Sequence, residues 1–303
     1  MDTNDSQPPP DNETSATILP ESQPSTHSAV PFRRRSLYKA NGLPKTTKEA
    51  RAQRIATDAQ VRRRQRQQLI LGKRFRALLE DAEESGTESE SEVTPHDLYQ
   101  LKQDLNRPDD QPECLRALKW LSSQLVSPSG LLQDYVLTGD CVPLLLKHIH
   151  SDNASVQLQA MWCVTNVAAG SQALCRKIMD SVPYLVAFLT SLNDDLADQA
   201  AWAIGNIAAE GPEFREQLVA HGAVEPLVEL LRPSSSSQLV QTVCFALSNL
   251  ARGPSAPLER MFEADIDARL LKYLTRHESR DVTSEVFWVL AYLTADKPEY
   301  IHR

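Results

Sequence analysis

The sequence contains no run of about 18 or more apolar residues, which excludes a membrane-spanning helix. Its first residues, Met1-Asp2-Thr3-Asn4-Asp5, are acidic and lead into a proline-rich stretch, so the basic and apolar regions of a secretory signal are missing. Glycine occurs only ten times in 303 residues and never as a phosphate-cradling loop. The five cysteines, at 114, 141, 163, 175 and 244, form no CxxC pair and have no neighbouring histidine ligands. That spacing argues against a zinc site or a disulfide framework and for buried free thiols in a reducing compartment. The seven histidines show neither triad nor metal spacing, and His148 and His150, flanking Ile149 at a helix end, read as surface polar groups. The expectation is a protein that is not an enzyme, with no metal, cofactor or small-molecule substrate.

Charge is plentiful but segregated. Lys plus Arg number 32 against 40 Asp plus Glu, a net of −8. Residues 33–76 hold 15 Lys/Arg with only Glu49 and Asp58 as acids, a net of +13, which leaves −21 on the rest of the chain. A basic block tied to an acidic body is a statement about partners, and the two parts can attract each other. Arg62–Arg64 could meet nucleic-acid phosphates, but the block lacks interleaved aromatics, which argues against direct nucleic-acid binding.

Composition divides the chain into four zones. Residues 1–31, rich in Pro, Ser, Thr, Asn and Asp, carry too little apolar surface to offset chain entropy and are expected to be a disordered tail. Residues 32–79 are the basic block. From Thr46 to Leu79 they lack proline and carry a thin stripe of Ile55, Val61, Leu69, Leu71, Phe75 and Leu78. This predicts a helix capped at Thr46 or Thr47 that needs a partner surface to hold it. Residues 80–98 form an acidic Ser/Glu linker, and residues 99–303 read as nearly all helix.

The last zone contains a repeat. Met161-Trp162-Cys163-Val164-Thr165-Asn166, Ala201-Trp202-Ala203-Ile204-Gly205-Asn206 and Cys244-Phe245-Ala246-Leu247-Ser248-Asn249 align without gaps. A fourth string, Phe287-Trp288-Val289-Leu290-Ala291-Tyr292, keeps the aromatic and ends in Tyr. The aromatics stand 40, 43 and 43 residues apart, and Pro143, Pro183 and Pro226 each precede theirs by 19. Gly170, Gly211 and Gly253 follow the Asn and are placed to end its helix. Each unit reads as a proline-started helix, a connector and a longer helix with the aromatic and the Asn. A period near 40–47 residues built of helices predicts an all-α armadillo or HEAT solenoid, and His221-Gly222-Ala223-Val224 ahead of Pro226 favours a right-handed armadillo superhelix.

The aromatic and the Asn lie four residues apart, on one helix face. Val164, Ile204 and Leu247, two after each aromatic, point elsewhere and are expected to pack inward. Two readings stand for the ladder. In one it is exposed on the inner surface, where Asn amides clamp an extended peptide backbone and aromatic faces hold Lys or Arg stems. In the other each Trp is core and each Asn a helix-terminal cap. Trp120 is followed four residues on by Gln124, leaves the ladder pattern and reads as core or edge packing.

These residues carry a resemblance. Trp162 to Asn166, Trp202 to Asn206 with Ile207-Ala208-Ala209-Glu210-Gly211, and Phe214-Arg215-Glu216-Gln217-Leu218 through to Pro226-Leu227 resemble the importin alpha family. The likeness covers residues 33–303. The basic block resembles the family's importin-beta-binding segment through Arg35, Lys39, Arg51, Arg54, Arg62, Arg63 and Arg64, then Lys73, Arg74 and Arg76 around Phe75. The resemblance implies a helix bound by importin beta, whose terminal basic cluster occupies the groove when free; Phe75 stands where a basic residue is expected.

The resemblance also implies a binding site for basic nuclear localisation signals. Trp162, Trp202 and Phe245 would stack, with Trp288 as the fourth aromatic, and Asn166, Asn206 and Asn249 would clamp the backbone. Gly170, Glu210 and Cys175 would form a lysine pocket, and Gln199 and Glu285 fall on groove positions. Three departures mark the site: Phe245 for Trp, Cys175 for Thr and Glu210 for Asp. About five repeats are expected before Arg303, fewer than the family's array. The implied function is a nuclear import adaptor shuttling between cytoplasm and nucleus, with importin beta and signal-bearing cargo as partners. The alternative is an import-incompetent interaction scaffold.

Overall fold

Local sequence signals set the start of almost every helix. The structure, a computed structural model, describes residues 93–108, 112–275 and 279–295, with the isolated positions 46, 57, 60 and 61. The chain divides into two units, residues 1–69 and 70–303, and the helices described below lie in the second. Thr57, Gln60 and Val61 are helical and exposed. The tail, most of the acidic linker and the basic residues Arg35, Lys39, Arg51, Arg54, Arg62, Arg63, Arg64, Lys73, Arg74 and Arg76 lie outside the described residues.

Fourteen α-helices and one 3₁₀ turn follow one another among the described residues, with no strand. They are α1 Pro95–Leu105, α2 Pro112–Gln124, α3 Gly130–Thr138, α4 Cys141–Ile149 and α5 Ala154–Ala168. Next come α6 Gln172–Lys177, the turn Met179–Ser181, α7 Val182–Phe188, α8 Asp194–Glu210, α9 Pro212–Ala220 and α10 Val224–Glu229. The series closes with α11 Ser237–Leu250, α12 Leu258–Glu263, α13 Ile266–Thr275 and α14 Arg280–Thr294. The long helices pack in chain order, α2 on α5, α5 on α8, α8 on α11 and α11 on α14, while the shorter helices pair with them. This is the all-α solenoid that the repeat predicts.

The prolines act as expected. Pro143, Pro183 and Pro226 lie in the first turns of α4, α7 and α10, where no intrahelical amide is lost. A second signal is as regular. Asn153, Asn193, Ser236 and Ser279 cap α5, α8, α11 and α14, each side chain accepting from an amide of the first turn. All four stand nine residues before the ladder aromatic.

Of the three glycines expected to end the long helices, Gly211 follows α8 directly as an extended residue, and Gly170 and Gly253 stand two and three residues beyond theirs. Gly253 is left-handed, with φ +86°, and so is Gly222 after α9, with φ +79°. There Gly222 N–H donates to Val219 O and Ala223 N–H to Leu218 O, the paired bonds of a Schellman turn. No atom stands within 4 Å of a Cβ added at Gly222. Gly222→Ala is therefore expected to act through backbone strain alone, lowering stability by about 1–2 kcal/mol in urea unfolding.

Stacking produces one continuous apolar core, with Val164, Ile204 and Leu247 inside it as expected. All five cysteines are buried free thiols. Burial pushes the Cys141 thiol up to about 12 and Cys163 well above its ordinary value, so both stay protonated. Trp120 packs at the edge of the core, as read from the sequence. His148 does not lie on the surface: it is fully buried, its Nε2 2.7 Å from Leu105 O and its Nδ1 3.7 Å from Cys114 Sγ. The helix that buries it is α1, which precedes the first recognisable repeat. His150 is exposed, in edge contact with Tyr184.

Candidate peptide-binding site

Four parallel positions on α5, α8, α11 and α14 bring the ladder together. Trp162 meets Trp202 edge to face, ring centroids 5.6 Å apart at 82°. Phe245 lies against Gly205, so closely that a Cβ there would stand 2.7 Å from the ring. Trp288 stacks on Tyr292 at 6.0 Å and 26°.

The rings are less open than the ladder reading expects. Trp202 is 2% and Phe245 3% exposed, and Asn166, Asn206 and Asn249 are buried as well. Only Trp162 and Trp288 keep partly exposed faces. Both rings are buried, Trp202 in edge contact with Trp162 and Phe245 against Gly205. For Phe245 the approach is close because Gly205, the residue before Asn206, lets the α11 ring sit on the α8 backbone.

The asparagines are bonded across the repeats. Asn166 Nδ2 donates to Ser122 O at 2.9 Å, Asn206 Nδ2 to Thr165 O at 3.4 Å and Asn249 Nδ2 to Gly205 O at 3.2 Å. Sequence reasoning missed Ser122, which also receives Gln159 Nε2 on its hydroxyl. It sits on α2, where Trp120 and Gln124 break the pattern, and nothing in the string marks it.

Gln199 and Asn206 flank Trp202 on α8, two turns apart on one face. Gln199 Oε1 and Asn206 Oδ1 are buried acceptors without a hydrogen-bond partner among the described residues. Carboxylates stand on the same set of helices: Asp198, which accepts from Gln238 Nε2 at 3.3 Å, buried Glu285 and partly buried Glu210. Gly170 is partly buried beside Leu174. Cys175, on α6, is fully buried in the core and offers no surface to a ligand. Elsewhere in the array, Arg260 binds both carboxylate oxygens of Glu225 at 2.7 Å and reaches Val219 O, and this guanidinium holds the Glu225 carboxyl below its usual range.

The armadillo/beta-catenin-like repeat family matches residues 174–209 and 211–252, the spans carrying the second and third aromatics. The chain is an armadillo-repeat protein. Solved armadillo structures agree: a designed armadillo repeat protein in complex with the peptide (KR)4 superposes with a TM-score of 0.61 at 28% identity, over 67% of this chain and 84% of that one. Its sequence resembles importin alpha subunits. Importin subunit alpha-2 of Oryza sativa subsp. japonica is 37% identical over 90% of this chain and 54% of its own length. Importin subunit alpha-3 of Caenorhabditis elegans is 31% identical over 88% of this chain and 52% of its own. This armadillo chain thus spans about half the length of the curated relatives it matches.

Proposed function

We propose that the chain is a nuclear import adaptor whose ladder face binds Lys/Arg-rich nuclear localisation signals and whose segment 32–79 binds importin beta. One observation carries the peptide-binding part: Gln199 Oε1 and Asn206 Oδ1 are buried acceptors with no donor among the described residues, on either side of Trp202. A buried acceptor left unmatched is costly, and a ligand rich in N–H donors removes that cost. Peptide amides, ammonium and guanidinium groups are such donors. The nearby carboxylates select for cations, and the peptide (KR)4 on the similar designed protein is a ligand of this chemistry. The importin alpha relatives support the link to importin beta and to a shuttling, non-enzymatic role.

The basic segment and a basic cargo would then compete for the same acidic face, the tethered one at high effective concentration. Capture of the segment by importin beta frees the face for cargo. The test is fluorescence titration of a Lys/Arg-rich peptide into the full chain, with and without importin beta. Saturable binding is expected, weakened by salt and strengthened by importin beta. Asn206→Ala with Asn249→Ala should weaken it by about fivefold per lost hydrogen bond. Unchanged affinity in that double variant overturns the site. Peptide binding without any capture of importin beta would make the protein an interaction scaffold.

A further inference from the structure

The ladder asparagines have a function that needs no ligand. Each directs an amide N–H at a main-chain oxygen on the preceding long helix, 44, 41 and 44 residues earlier. We propose that Asn166, Asn206 and Asn249 fasten each armadillo repeat to the one before it, and that this bond fixes which atoms they present to a peptide. An amide carries two N–H donors and one acceptor. One N–H of each is held by the preceding helix. Among the described residues the Oδ1 and the second N–H remain, in an orientation set before any ligand arrives.

The pattern of presence and absence fits. Asn appears first in α5, the first ladder helix that has an aromatic-bearing helix, α2, behind it. α2 itself carries Gln124 at that register and packs against α1, which carries no such string. In α14 Tyr292 takes the place, and its ring stacks on Trp288.

The three fasteners differ in what they satisfy. Ser122 O lies in the last turn of α2, where helical carbonyls lack their usual partner. The amide four residues on, Val126 N–H, donates to Ser123 O instead, so Asn166 supplies the bond for a buried carbonyl. Thr165 O already receives Ala169 N–H at 3.1 Å, and its bond from Asn206 is the longest of the three. Asn166 therefore contributes most to the unliganded array and Asn206 least.

The test is urea and thermal unfolding of the full chain without peptide, followed by circular dichroism, for Asn166→Ala, Asn166→Asp and Asn206→Ala. At pH 7 a lower midpoint is expected for both Asn166 variants, by about 2–6 °C in Tm, with a smaller fall for Asn206→Ala. In Asn166→Asp a carboxylate faces the Ser122 carbonyl, so this variant should be the weakest at pH 7 even though it adds negative charge to a face read as cation-binding. Burial and that carbonyl raise the introduced carboxyl's folded-state pKa. Its penalty relative to Asn166→Ala is therefore full at high pH and shrinks as pH falls through the raised value, where the protonated acid donates to Ser122 O. If Asn166→Asp does not fold, Asn206→Asp against Asn206→Ala gives the same comparison. Parent-like midpoints in the alanine variants overturn the proposal, as does an Asp-to-Ala difference that pH leaves unchanged. Loss of peptide affinity with unchanged midpoints would leave the binding site standing and remove the fasteners; lowered midpoints with no peptide binding by the parent would do the reverse.

Discussion

Trp202→Ala is expected to remove about 3–5 kcal/mol of stability, the usual range for truncating a buried aromatic. Its ring is 2% exposed and meets Trp162 edge to face at 5.6 Å, so the change opens a cavity between α5 and α8 and forfeits an aromatic pair. A solenoid is held by nearest-neighbour interfaces, so the loss falls on one of them. The array should then unfold in two steps, with the helices up to α5 separating from those beginning at α8. Circular dichroism in urea would show the split, and tryptophan fluorescence would report the α5 side through Trp120 and Trp162. Trp202→Phe keeps a ring between the helices and should retain much of the stability and a single transition. Trp288→Ala, at a partly exposed position on α14, should cost distinctly less. A Trp202→Ala curve superimposable on that of the parent would show that the ring does not join the repeats.

Much of this architecture is written locally in the sequence. The 19-residue offset from proline to aromatic marks the start of the short helix and the middle of the long one. The Asn or Ser nine residues before each aromatic marks the start of the long helix. Both signals work because first-turn amides need a partner or a proline wherever the helix lies. Exposure is not local in this sense. Whether Phe245 faces solvent depends on how near α11 approaches α8, and Gly205 on the facing helix admits the ring. The WxxxN string is silent on it. His148 fails to read for a related reason. Its residue type is found both inside and outside proteins, and its burial rests on the contact with α1. The asparagines were legible as a repeated register, while their acceptors on the preceding helix were not, since a carbonyl oxygen leaves no mark on sequence.

Gly205→Ala separates local preference from packing at the centre of the site. In an isolated helix the change is favourable by about 1 kcal/mol, because glycine in a helix interior has the greater chain entropy to lose. In α8 the new methyl would stand 2.7 Å from Cδ1 and Cε1 of Phe245 and 3.2 Å from the Ala246 Cα. The ring cannot simply swing away, since it is 3% exposed, and the Ala246 contact is main chain. The two helices must move apart, and overpacking of this kind costs about 1–3 kcal/mol. The net expectation is destabilisation despite better helix propensity. The same movement stretches the Asn249 bond to Gly205 O, 3.2 Å in the parent, so peptide affinity should fall together with stability. Phe245→Leu in the Gly205→Ala background removes the ring edge that the methyl meets. The double variant should therefore be more stable than the sum of the single changes predicts, a positive coupling of the sort expected for residues in contact. Thermal unfolding of the four proteins in that cycle decides the matter. Strict additivity, or a Gly205→Ala protein more stable than the parent, would mean that the spacing of α8 and α11 is set elsewhere.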